Sequence, residues 1–412
     1  MTDLATQEAA TARAVAIRFP EFVALVAALM ALGALGIDAM LPALPAIARS
    51  LHVATENDRQ FVITVFTIGF GAGQLINGPL SDRYGRRPVL LAAIILYAVT
   101  SATAAVAASF PLLLIARFVA GLAVAATRVV TTAMVRDCYA GRPMARVMSF
   151  AAMVFMVVPI LAPVFGQTIM LAGGGWRMIF WAIVLICFAV LLWFWRRMPE
   201  TLHADRRHPF SLARLADGVG QALTNRWSLG YTLASAMLQG ALFSYIATIG
   251  QITADTYHRG DLLVVVFATT AGTLAAANLV NARLVLRLGS RRISHSALVV
   301  LILLSLASVA LSVTGHESLV TFAVLIALSM GCFGLSNSNF SAMAMTDMGA
   351  IAGTASSVQG FTVIVVGALY GTFVGQHFAG TTLPLHIGFL VAAIASFGIV
   401  AWVERGRLFR PA

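Results

Sequence analysis

The chain of 412 residues contains no lysine, so all 27 of its basic residues are arginines. That single absence removes several function classes. A Walker-type phosphate loop needs its lysine, and so does a Schiff base to retinal or pyridoxal phosphate. An ATP-driven pump of the usual kind is excluded. Charge is scarce too: 10% of residues are charged against 60% hydrophobic, far outside a soluble globular protein. The three cysteines, Cys138, Cys187 and Cys332, are single and widely spaced, so neither a disulfide framework nor a metal site is expected. There is no H-E-x-x-H pair. The eight histidines (His52, His203, His208, His258, His295, His316, His377 and His386) fall in loops or at the ends of apolar runs, so no catalytic constellation forms. A membrane-embedded enzyme or receptor therefore finds no support, and no cofactor is expected beyond protons as a coupling ion.

What remains is a polytopic membrane protein. A helix spanning ~30 Å of hydrocarbon needs ~20 apolar residues. Twelve such windows are present, at roughly 20–41, 59–80, 88–108, 111–134, 144–169, 176–197, 227–251, 262–286, 293–313, 318–342, 349–375 and 384–404. The longest polar interruption, Arg196 to Arg226, follows the sixth. The expected fold is all-α: two six-helix halves, 20–197 and 227–404, a linker at 198–226, and tails at 1–19 and 405–412. The first 19 residues are polar, carry Arg13 and Arg18 and lack a cleavage site, so they read as a cytoplasmic tail and not a signal peptide.

A net charge of +11 could suggest nucleic acid, but its placement argues for a membrane surface. With both termini inside, only Arg49, Arg59, Arg177 and Arg259 fall outside, and Arg117 and Arg128 lie within a span. Every other arginine is cytoplasmic, as the positive-inside rule requires. An internal repeat supports the division into halves. Shifted by 204 residues, Asn77-Gly78-Pro79-Leu80 falls on Asn281-Ala282-Arg283-Leu284, Arg83 on Arg287 and Gly85 on Gly289, while Asp82 meets Leu286. Paired repeats place a substrate pathway at their interface, near the membrane midplane.

Asn77 to Arg87 reads N-G-P-L-S-D-R-Y-G-R-R, a charged, glycine-containing loop between two apolar stretches. Gly78 and Gly85 let the backbone turn, Asp82 can face arginines or a helix N-terminus, and Arg83, Arg86 and Arg87 suit anionic headgroups. A plain basic turn would not need Gly, Asp and Gly at fixed offsets.

Among the 16 acidic residues, only Asp38 lies inside a span and away from its cytoplasmic edge. An ionisable residue at such depth is costly and marks a functional site. Burial favours the protonated form of a carboxyl, so Asp38 can load and release a proton; the plain alternative is that it faces headgroups near Leu41-Pro42. Arg117 and Arg128, three helical turns apart, point from one face of the fourth span. Arg117 matches Asp38 in depth and is its expected partner, while Arg128 sits deeper, in the cavity or snorkelling to the inner surface. Gly69, Gly73 and Asn77, and again Gly367, Gly371 and Gly375, make small faces suited to close packing or sliding. Pro159 and Pro163, followed by Gly166, bend the fifth span. Candidate cavity residues are Gln74, Tyr97, Arg128, Phe155, Gln239, Phe243, Tyr245, Asn337, Gln359 and Phe361. Apolar and aromatic walls with few polar anchors suit an amphiphilic small molecule.

With these residues in hand, the chain resembles the major facilitator superfamily over essentially its whole length. Asn77 to Arg87 matches that superfamily's G-x-L-[AS]-D-R-x-G-R-[RK] signature. Within it, the chain resembles the bicyclomycin/chloramphenicol-resistance drug:proton antiporters. Asp38-Ala39-Met40-Leu41-Pro42-Ala43-Leu44-Pro45 is similar to their D-x-x-L-P-A-L-P element, and Arg117 to Gly121 to their R-x-x-x-G element. Ala162-Pro163-Val164-Phe165-Gly166-Gln167 resembles the antiporter element G-P-x-x-G-G, with two glycines replaced. The resemblance implies proton coupling at Arg117 and a cytoplasmic latch in which Asp82, Arg86 and Asp137 form a network in the outward-facing state. It implies a proton-coupled exporter of small amphiphilic antimicrobials in a bacterial inner membrane, with both termini cytoplasmic; an uptake or metabolite carrier of the same fold is the alternative. The expected partners are the bilayer and a drug-sized molecule. Nucleic acid is not expected, and a monomer is.

Overall fold

The computed structural model describes residues 17–203, 205, 207 and 212–410. Most of the tail 1–19 therefore lies outside the described residues, as does the side chain of Phe155. Fifteen α-helices are labelled in chain order: α1 Phe19–Asp38, α2 Leu44–Ser50, α3 Phe61–Tyr84, α4 Arg86–Ala105, α5 Phe110–Val124, α6 Ala126–Cys138, α7 Gly141–Leu171, α8 Gly175–Arg197, α9 Leu212–Thr224, α10 Arg226–Gln251, α11 Leu263–Leu288, α12 Ser290–Val313, α13 Leu319–Ala344, α14 Ala352–Gln376 and α15 Leu383–Val403. No strand occurs among the described residues. Among the described residues, eleven helical stretches are long and apolar enough to cross a membrane, and a shorter apolar piece, Val157–Leu171, lies in α7. The protein is an all-α, multi-pass membrane protein.

Four elements depart from the sequence reading. The expected loop 77–87 is almost entirely helical, because α3 runs through Pro79 to Tyr84. Only Gly85, at φ +103°, separates α3 from α4, a backbone that L side chains rarely adopt. Gly289, at φ +78°, repeats this between α11 and α12. The fourth span is interrupted at Ala125, between Arg117 and Arg128. The polar stretch 198–226 contains a helix of its own, α9. Finally, the chain forms two compact units, Met1–His52 with Val65–Leu212, and Val53–Thr64 with Ala213–Ala412. The start of the second span thus packs with the C-terminal helices.

In the first unit, α1 lies against α7, and α4 against α5 and α8. The crossing of α3 and α5 is close enough to depend on glycine: a methyl at Gly69 would overlap Phe118 O, and one at Gly121 would overlap Phe66 O. Asn77 Nδ2 donates to Leu122 O across the same crossing, 2.9 Å.

In the second unit, α10 packs on α14 and α15. The second glycine face serves this contact, since substituents at Gly367 and Gly371 would meet Gln239 and Phe243. Segment 53–64 adds to it. Gln60 Nε2 donates to Gln251 Oε1 (2.6 Å) and Gly375 O (3.0 Å), and Arg59, 5% exposed, pairs with Asp255 and Glu56. A buried pair closes one end of this unit: His386 Nε2 lies 2.6 Å from Glu317 Oε1, and Thr382 donates to Glu317 Oε2. Burial and that neighbouring carboxylate push the Tyr257 phenol up. All three cysteines are buried and unbonded.

Candidate functional site

The first unit gathers the chemistry around the C-terminal end of α1. That helix stops at Asp38 because Pro42, in a 3-10 turn Leu41–Ala43, cannot donate into a continuing helix. Asp38 is 4% exposed, and its Oδ1 has no hydrogen-bond partner. It does not face headgroups or water. The helices around it close in through small residues. A methyl at Gly166 of α7 would overlap Ala39 O, the carbonyl next to Asp38. A methyl at Gly36 would fall 2.5 Å from Tyr97 Oη and 2.7 Å from the Phe66 ring.

Arg117 enters this site from α5 and is 1% exposed. Its Nη2 donates to Gly36 O at 2.7 Å, not to Asp38. Its guanidinium carbon lies 4.1 Å from the Phe66 ring centroid and 5.9 Å from that of Phe180. The positive group is thus held by a carbonyl and aromatic faces, two residues along α1 from the carboxyl. The expected Asp38–Arg117 partnership becomes one of proximity through α1, with no direct pairing. Arg128 differs from Arg117 in being exposed, beyond the interruption at Ala125.

The remaining candidates separate into two groups. Tyr97, 1% exposed, approaches Leu32 O at 3.4 Å and is a wall of the Asp38 site. Tyr245 Oη is 2.7 Å from Thr270 Oγ1 and its ring stacks on Phe267, so it cements α10 to α11. Gln239 and Phe243 stand at the α10–α14 contact. Gln74 is buried with Nε2 unpartnered, and half-buried Asn337 has an unpartnered Oδ1. Gln359 reaches Ser341 O at 3.4 Å, and Phe361 is half-buried. Gln74 and Asn337 keep polar atoms available; the tyrosines do not.

At the other end of the unit, Arg86 joins the predicted trio. Its Nη1 donates to Asp82 and to Ser81 Oγ (2.7 Å), and its Nε donates to Asp137 Oδ2 at 3.0 Å. Gly78 contributes a carbonyl to Ser81 Oγ, 2.8 Å. Arg83 stacks over Tyr84, and Arg87 Nη2 donates to Trp195 O at 2.7 Å. The residue that sequence reasoning missed is Glu200. Its carboxylate accepts the backbone amides of Arg86 and Arg87, capping α4, and those of Thr201 and Leu202, at 2.9–3.1 Å. A methyl at Gly85 would collide with that carboxylate, a second reason for glycine there. The 204-residue shift carries Glu200 onto Glu404, which accepts from Arg291 Nε (2.8 Å) and Tyr231 Oη (2.6 Å). That coincidence was available from the repeat alone. Glu200→Ala removes an acceptor shared by four amides and is expected to lower stability by about 1–3 kcal/mol. An unchanged unfolding temperature in detergent would show the cap to be dispensable. No His, Cys, Asp and Glu cluster able to hold a metal occurs among the described residues.

Comparison with known proteins agrees with this architecture. Residues 26–372 match the model of the Major Facilitator Superfamily. The chain is 30% identical over 365 residues to the uncharacterized MFS-type transporter YdgK of Bacillus subtilis, covering 87% of this chain and 90% of that one. It is 28% identical over 367 residues to the bicyclomycin resistance protein homolog of Haemophilus influenzae, covering 88% and 91%. It is 29% identical over 238 residues to the multidrug resistance protein MdtL of Escherichia coli, covering 57% and 59%. Among solved structures, the human organic anion transporter MFSD10 has a TM-score of 0.65 at 17% identity, covering 93% of this chain and 100% of that one. A bacterial homolog of the human lysosomal transporter Spinster has a TM-score of 0.69 at 13% identity, covering 95% and 96%. A family model matched over most of the chain, on an all-helical membrane fold with transporter relatives, leads to one conclusion: the chain belongs to the major facilitator superfamily and is a transporter.

Proposed function

We propose that the protein is a proton-coupled exporter of small amphiphilic antimicrobials, resident in a bacterial inner membrane with both termini cytoplasmic. The observation that carries this reading is Asp38, a buried carboxyl with an unpartnered oxygen at the end of α1, beside the Arg117 guanidinium on Gly36 O. A charge there, out of water, is stabilised poorly, and a proton relieves it. Arg117 tunes that balance as the site changes shape. Drug bound from the cytoplasm favours the deprotonated carboxylate, and a proton taken from outside favours release. Gln74 of the first unit, buried with Nε2 unpartnered, is a polar anchor proposed for the drug. The network of Asp82, Arg86 and Asp137, braced by Glu200, acts as the cytoplasmic latch.

The names of two relatives, a bicyclomycin resistance homolog and a multidrug resistance protein, support export of antimicrobials. The arginine distribution supports the orientation. The driving force is adequate. One proton crossing 100 mV gives ~2.3 kcal/mol, and one pH unit adds ~1.4 kcal/mol. Together these sustain a drug gradient of several hundredfold, on the order of tenfold per 1.4 kcal/mol.

Everted vesicles carrying the protein test the reading. After respiration has established a pH gradient, a chloramphenicol-like or bicyclomycin-like compound is expected to dissipate it. Silence across a broad drug panel would reject export in favour of a dedicated metabolite carrier.

A further inference from the structure

Helices α4 and α8 enclose a groove for which the transport reading has no use. Its volume is about 300 Å³, and it is lined by Leu91, Ile95, Phe188, Leu191, Leu192 and Trp195, every one apolar. Ile95, Phe188 and Trp195 are 49%, 59% and 54% exposed, so the groove opens on the outer surface of a membrane-spanning helix pair. Arg87, Leu91 and Ile95 recur every four residues and share one face of α4. Arg87 therefore stands at the head of the groove, and its hydrogen bond to Trp195 O fixes it there. It spends that one donor; its Nε is covered and has no hydrogen-bond partner.

The charge around this head is unbalanced. Arg86 is paired by Asp82 and Asp137, and Arg197 by Glu21. Glu200 has committed its carboxylate to backbone amides. Among the described residues Arg87 has no carboxylate partner for its guanidinium, which leaves a positive group at the head of an apolar slot. The dimensions suit a lipid tail. Arg87 to Ile95 spans ~12 Å at 1.5 Å per residue, close to the ~15 Å of one leaflet of a ~30 Å hydrocarbon core.

We propose that this groove is a binding site for one anionic phospholipid, its phosphate on Arg87 and an acyl chain against Leu91, Ile95, Phe188 and Trp195. A zwitterionic lipid would fill the slot equally well but leave Arg87 without a net negative partner. A soluble phosphate would meet the arginine without filling the slot. The site is independent of which solute is carried. It is also adjacent to the latch, since Arg86 and Arg87 share the amide cap from Glu200.

Quenching of tryptophan by brominated acyl chains tests this directly. The full-length protein is placed in phosphatidylcholine nanodiscs containing increasing fractions of bromo-phosphatidylglycerol or bromo-phosphatidylcholine. Trp195→Phe, measured in parallel, isolates the Trp195 signal from the other five of six tryptophans. Bromo-phosphatidylglycerol is expected to quench Trp195 at roughly fivefold lower mole fraction, the preference one arginine near an anionic headgroup provides. Arg87→Gln is expected to erase that preference and leave ordinary quenching by either lipid. Should Arg87→Gln fail to fold, Arg87→Lys, which keeps the charge, is expected to retain the preference for phosphatidylglycerol. Equal quenching by the two lipids, a preference that survives Arg87→Gln, or loss of it in Arg87→Lys would overturn the proposal. So would displacement by millimolar inorganic phosphate, which would mark a phosphate site without a chain. Protection of Trp195 from both bromolipids would overturn it in favour of a protein neighbour.

Discussion

Asp38→Asn is expected to leave the protein folded in the membrane while abolishing transport against a gradient. The substitution keeps shape and volume and removes only the capacity to carry a proton. Because the carboxyl is 4% exposed, with Oδ1 unpartnered, no ion pair is lost and stability should change little. The energetic effect falls on coupling. A carrier that cannot exchange protons can only equilibrate its substrate, so the several-hundredfold gradient sustained by one proton collapses to none, a loss on the order of 3–4 kcal/mol. Drug accumulation in everted vesicles, compared with drug-for-drug exchange in the same vesicles, separates coupling from binding. Active accumulation by Asp38→Asn would remove Asp38 from the mechanism.

Arg117→Lys is expected to fail nearly as badly as Arg117→Ala. Were charge alone important, lysine would rescue. The geometry argues otherwise, because the planar guanidinium donates to Gly36 O while lying 4.1 Å from the Phe66 centroid. An ammonium is compact, strongly hydrated and lacks the plane that stacks. A desolvated cation–π contact contributes ~2 kcal/mol and a charged hydrogen bond ~1.5–3 kcal/mol. Losing much of both corresponds to a hundredfold or larger fall in transport rate if the site must keep its shape. Initial efflux rates of the two variants, normalised to protein in the membrane, decide the matter. Near wild-type rates for lysine would reduce Arg117 to a point charge.

The sequence made the membrane helices plain because bilayer thickness forces long apolar runs, a pattern that tertiary contacts cannot disguise. The internal repeat left its trace for a different reason, since Gly85 and Gly289 both sit at positive φ, where glycine is favoured. The grouping of Asp82, Arg86 and Asp137 followed from the resemblance and reappears in the geometry. Other features were hidden by physics that leaves little trace in composition. The supposed loop after Asn77 stayed helical because polar residues at a membrane surface are compatible with helix, and only Gly85 breaks it. Glu200 looked like an ordinary linker carboxylate, because two of its four amide partners, Arg86 and Arg87, lie more than a hundred residues away in sequence. Tyr245 was read as a cavity wall because a buried aromatic pattern does not say whether its hydroxyl is already satisfied by Thr270. The docking of segment 53–64 on Gln251 and Gly375 rests on contacts nearly two hundred or more residues distant in sequence, which no local pattern encodes.

The burial of Cys138, Cys187 and Cys332 has a practical consequence for watching this transporter work. Thiols shut away from water react slowly with a membrane-impermeant maleimide, so the natural chain already offers a dark background for labelling. One new cysteine at a time, placed along α3 or α14, can report solvent access with and without drug. The native helices need not be stripped of their own sulfur first, and an accessibility map can be drawn on an otherwise unaltered carrier.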